Sequence, residues 1–65
     1  MIWELYVVYA EATDGYEELI DTTKSLKEAK TLAKLALTED TVAAIIYRED
    51  EEGEQIFVEK LTNVA

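Results

Sequence analysis

The sequence predicts an α+β domain in the order β-β-α-β-β. It forms a four-stranded antiparallel sheet, ordered 2-1-3-4, with one helix packed on one face. Three observations carry that prediction. Residues 5–10 and 42–47 are apolar at both parities, as strands in the middle of a sheet must be. Ser25-Leu26-Lys27-Glu28 has the spacing of a capping box and opens a segment whose apolar residues recur at helical period. Asp14-Gly15 and the segment around Gly53 separate apolar runs as hairpin turns do. Sixty-five residues make a single domain, 1–65.

The first strand spans residues 2–11. Trp3, Leu5, Val7 and Tyr9 line one of its faces; Ile2, Tyr6, Val8 and Ala10 dominate the other, with Glu4 the exception. Residues 16–24 follow the Asp14-Gly15 turn. Glu17, Glu18 and Asp21 dilute Leu19 and Ile20 there, a pattern suited to an edge strand whose charges discourage further pairing. A short helix over 16–20 is the alternative, because Glu-Glu-Leu-Ile also favours helix.

The helix is expected over 26–38, with Ser25 as its N-cap and Glu28 reaching back to the Ser25 amide. Leu26, Ala29, Leu32, Ala33, Ala36 and Leu37 form its apolar stripe, and the alanines permit close approach to a sheet. Residues 42–47 give the third strand, 48–54 an acidic turn, and 55–61 the fourth strand. In that last strand Phe57 and Leu61 should point one way and Ile56 and Val58 the other.

A single helix covers one sheet face, and either face of the first strand exposes large apolar groups unless something covers it. The pattern leaves open which parity meets the helix. With the set containing Trp3 and Tyr9 taken as covered, Ile2, Tyr6 and Val8 become the self-association surface of a homodimer.

Composition narrows the function. Fifteen acidic residues oppose six basic ones, giving a net charge of −9 and a field that favours cationic partners over nucleic acid. Histidine and cysteine are absent, which removes the usual general base, the soft metal ligands and the best nucleophile. Gly15 and Gly53 are isolated turn residues, not parts of a phosphate-binding loop, and Ser25 is already used as a cap. No catalytic residue, metal ligand or cofactor motif is therefore assigned. The run Glu49-Asp50-Glu51-Glu52-Gly53-Glu54 is acidic enough to invite a calcium reading. Counting back from Gly53, however, puts Arg48 where an EF-hand loop needs its first acid.

Charge is also polarised. Between Lys24 and Lys34 four lysines meet only Glu28, so that segment carries +3 and the remainder −12. The simplest reading of Lys27, Lys30 and Lys34 is a solvated helix flank. The acids carry the sharper expectation. Glu17, Asp21, Glu49, Asp50, Glu51, Glu52 and Glu54 form a candidate surface for a basic protein, in the sharpest case occupying that partner's nucleic-acid site as an inhibitor. In size and charge the chain resembles small acidic inhibitors of nucleic-acid enzymes, many of them phage-encoded. That resemblance is one of composition, and it implies a basic protein partner without transferring any residue role. The alternative is a self-associating structural domain, natural or designed, with no external ligand. The start Met1-Ile2-Trp3-Glu4 has neither a basic n-region nor a long apolar stretch, and the longest apolar runs fall far short of a bilayer span. A cytoplasmic protein without direct membrane contact is the expectation.

Overall fold

The computed structural model describes residues 4–38 and 40–62. Among them β1 (Leu5–Ala12), β2 (Glu17–Thr23), α1 (Leu26–Ala36), β3 (Thr41–Glu49) and β4 (Gln55–Thr62) follow in sequence. Every pairing is antiparallel and the sheet order is β2-β1-β3-β4, as the two apolar runs require. The segment after the first turn is a strand from Glu17 onward, so the short-helix alternative does not hold. Every β2 residue except Thr23 is exposed, as befits an acidic edge.

The helix decides which face is the core. Ala29 and Ala33 are fully buried and pack on Tyr6, Val8, Ala44 and Ile46, with Leu26, Leu32, Leu37, Val58 and Leu61 around them. A methyl is all that separates the helix backbone from the sheet at these two positions. The stripe therefore settles on the parity offering Val8, Ala10 and Ala44, where there is little side-chain bulk to displace. This corrects the expected self-association surface: Tyr6 is only 9% exposed and Val8 0%, both beneath α1, and neither is available to a second copy. Ile2 lies outside the described residues.

The helix start is built differently from a reciprocal capping box. Ser25 Oγ accepts from the Glu28 amide at 3.4 Å, but the Glu28 carboxylate turns to Thr23, whose hydroxyl donates to Oε2 at 2.7 Å. The Ser25 amide in turn donates to Thr23 Oγ1 at 3.4 Å. Thr23 thus relays the bond that Glu28 was expected to make directly. The helix ends at Ala36 rather than Thr38, because Leu37 has turned to an extended conformation as the C-cap.

Both edge strands carry a bulge at the same level of the sheet. The β1–β2 register shifts between Val8 and Tyr9, and the β3–β4 register between Ile46 and Tyr47, two positions in the Val8–Ile46 row. The β4 shift flips the alternation beyond Val58. Phe57 sits opposite Tyr47 on the uncovered face, whereas Leu61 sits opposite Ala44 under the helix. Phe57 and Leu61 therefore do not share a face; the extra residue of a bulge is invisible to strict period-two counting. Gly15 and Gly53 close the hairpins with φ of 88° and 82°, the left-handed region that glycine enters without steric cost. No helix among the described residues is long and apolar enough to cross a membrane.

Candidate interaction surface

The predicted acidic surface does not come together. β1 and β3 are antiparallel, so the turn after β1 and the turn after β3 emerge at opposite ends of the sheet. Glu17 stands at one end, opposite Glu11, and residues 49–54 stand at the other, about 25 Å away for strands of this length. Asp21 is on neither end. It lies opposite Val8 on the edge strand, on the helix side, where its Oδ1 accepts from the Thr22 amide at 2.7 Å. Together with Thr22, Thr23, Glu28, Thr31 and Leu32 it lines an open groove between β2 and the start of α1.

Within the distal turn, Asp50 does structural work. Its Oδ1 accepts from the amides of Glu52 and Glu54, both at 2.9 Å, while its backbone bonds with Gly53 and Glu54 close the turn. That is an Asx-type turn, and it accounts for the acid at this position. Glu51, Glu52 and Glu54 remain exposed at the tip, and Glu49 sits on the uncovered sheet face opposite Leu5 and Gln55. Among the described residues no cluster of acids forms a metal-binding group.

The face away from α1 is where the large apolar side chains collect. Tyr9, Tyr47 and Phe57 run across it in edge-to-face contact, with centroids 5.6 Å apart for Tyr9–Tyr47 and 6.3 Å for Tyr47–Phe57. Edge-to-face geometry sets the positive ring edge against the negative ring face, so the three rings brace one another. The Tyr9 hydroxyl reaches past Tyr47 to the Gln55 side-chain amide at 3.5 Å. In the same layer Val7 and Ile45 are already buried, while Phe57 on β4 is 59% exposed and Leu19 on β2 is 53% exposed. An ion pair crosses this face: Lys60 Nζ lies 3.9 Å from Glu11 Oε2. The apolar centre is thus uncharged, with Glu11, Glu17 and Lys60 near one end and Glu49 near the other.

The sequence pattern left open which parity meets the helix, and the self-association surface named from it, Ile2, Tyr6 and Val8, belongs to the other parity. The signal that could have corrected it is size. Aromatic Tyr9 and Tyr47 share one parity once the antiparallel pairing is drawn, whereas the alanine stripe of the helix calls for the parity with the least bulk.

On the opposite side of the molecule Lys27, Lys30 and Lys34 are exposed along α1, with Leu35 beside them. No family model matches the chain, and no curated protein or solved structure shows significant similarity to it.

Proposed function

We propose that the protein is a non-catalytic interaction module whose recognition surface is the uncovered sheet face. The observation that supports this reading is the Tyr9–Tyr47–Phe57 row, flanked by exposed Leu19 and left without a covering layer among the described residues. Sheets with two apolar faces bury both, and a contiguous exposed apolar face on a small domain marks a contact surface. The absence of histidine and cysteine supports binding over catalysis. A net charge of −9 makes any external partner a basic protein surface in a cytoplasmic setting. The acids available to such a partner form two separate patches, so a single continuous imitation of a nucleic-acid strand is the weaker form of the idea.

The test is a photo-crosslinking amino acid placed at Phe57, with Lys30 on the far side of the helix as the control position. The reading expects a discrete protein adduct from position 57 in cells and none from position 30. Equal labelling from both positions, or no adduct from 57, overturns it.

A further inference from the structure

We infer that the occupant of the uncovered face is a second copy of this chain, packed face to face about a two-fold axis parallel to the strands. The inference rests on the reading of this face as the recognition surface and names its partner.

The placement of Lys60 relative to Glu17 supports both the occupant and the axis. A two-fold parallel to the strands lays β2 of one copy across β4 of the other and keeps like ends of the sheets together. Leu19 lies in the cross-strand row Leu19–Tyr9–Ile45–Lys60, one row from Val7–Tyr47–Phe57. The operation therefore carries Leu19 of each copy onto the alkyl stem of Lys60 beside Phe57 of the other. Phe57 of each copy lies over Thr22 of the other, and the Tyr9–Tyr47 pair sits near the axis. The same operation brings Glu11 and Glu17 of one copy to the end of the sheet that holds Lys60 of the other. The Lys60 cation then meets acids twice, once at each symmetry-related site. A two-fold perpendicular to the strands carries Glu17 of one copy to the end of the sheet away from Lys60 of the other and loses that contact, while covering Leu19 and Phe57 no better.

The size of the face is adequate. Four strands at about 4.8 Å spacing and eight residues at about 3.4 Å give roughly 500 Å² of projected area per copy. Two such faces bury about 1,000 Å² together, at the lower end for specific interfaces, which points to a concentration-dependent dimer. The aligned packing of two twisted sheets, offset by about 30°, accommodates the arrangement without changing either sheet. Each copy carries −9, so added salt screens a net repulsion and tightens the dimer, the reverse of what binding to a basic partner shows.

The experiment is sedimentation equilibrium on the wild type, on Lys60→Glu, on Glu17→Lys, and on an equimolar mixture of the two variants. Circular dichroism checks that each variant is folded. In either variant alone, both symmetry-related contacts become like-charged, and association weakens about tenfold. In the mixed dimer opposite charges face each other again at both contacts: the two introduced side chains meet at one, and the native Lys60 and Glu17 meet at the other. The mixture should therefore associate to within about threefold of wild type. A wild type that stays monomeric up to about 1 mM, or a mixture no better than its components, overturns the inference. If the wild type is monomeric but position 57 still crosslinks to a different protein, the interaction reading survives and the second copy does not. If position 57 yields no adduct, both fail.

Discussion

Replacing Ile46 tests the packing that fixes which sheet face is covered. Ile46 is 0% exposed in the central strand β3, beside Val8 and Ala44 and beneath Ala29 and Ala33. Ile46→Val removes one methylene and should cost about 1 kcal/mol; Ile46→Ala should cost about 4, in the upper half of the range for such truncations. The upper half applies because three of the neighbours are alanines, which have no rotamers with which to fill the space. A 65-residue domain has about 3–10 kcal/mol of total stability, and cores of this size supply about 3–5. Ile46→Val should therefore remain folded with its midpoint lowered by about 4–8 °C. Ile46→Ala should be largely unfolded at 25 °C. Leu35→Ala, at a site 73% exposed on the outer face of α1, should change stability by less than about 0.5 kcal/mol. Urea and thermal melts followed by far-ultraviolet circular dichroism measure all three. Protein concentration must be held fixed, because the proposed dimer would add stability by mass action. An Ile46→Ala penalty below about 2 kcal/mol, or a Leu35→Ala penalty matching that of Ile46→Val, would show that α1 does not seal β3 and would refute the face assignment.

The turns and the cap make sharper local tests. Asp50→Ala removes an acceptor shared by two amides and should cost about 1–2 kcal/mol, whereas neutralising Glu51 and Glu52 together should cost nothing and relieve local repulsion. Urea midpoints separate the two outcomes, and equal effects would contradict the Asx-turn role. Ser25→Ala should cost about 0.5 kcal/mol, at the low end for an N-cap, because its bond to the Glu28 amide is long at 3.4 Å. Thr23→Val should cost at least as much, since the hydroxyl holds both the Glu28 carboxylate and the Ser25 amide; a neutral Thr23→Val would remove the relay from the account.

The strand order was legible because two runs, and only two, are apolar at both parities, and a four-stranded sheet has two central places to fill. The cap was legible from Ser25, although the partner of Glu28 was not. Thr23 belongs to the preceding strand, and its approach depends on how β2 leads into α1. The acidic surface failed for a topological reason. Glu17 and the 49–54 turn look like one acidic population along the chain, yet antiparallel pairing of β1 with β3 sends the two hairpin turns to opposite ends. The side of Leu61 failed because Val58 adds a residue to β4, and no residue type announces a bulge at that place.

Those bulges bear on how this sheet can associate. An exposed strand edge is the usual route by which sheets join, and it needs a straight run of free amides and carbonyls. Here β2 and β4 each carry an extra residue flanking the same Val8–Ile46 row, which bends both edges in mid-strand. The β2 edge also presents Glu17, Glu18 and Asp21, so a second copy arriving edge to edge would set these acids against one another. The helix side is sealed by Ala29 and Ala33 and fringed by Lys27, Lys30 and Lys34. The edges are thus defended by shape and charge and one face by a helix. Among the described residues, the aromatic face is the broad surface left where burial of apolar area can drive association.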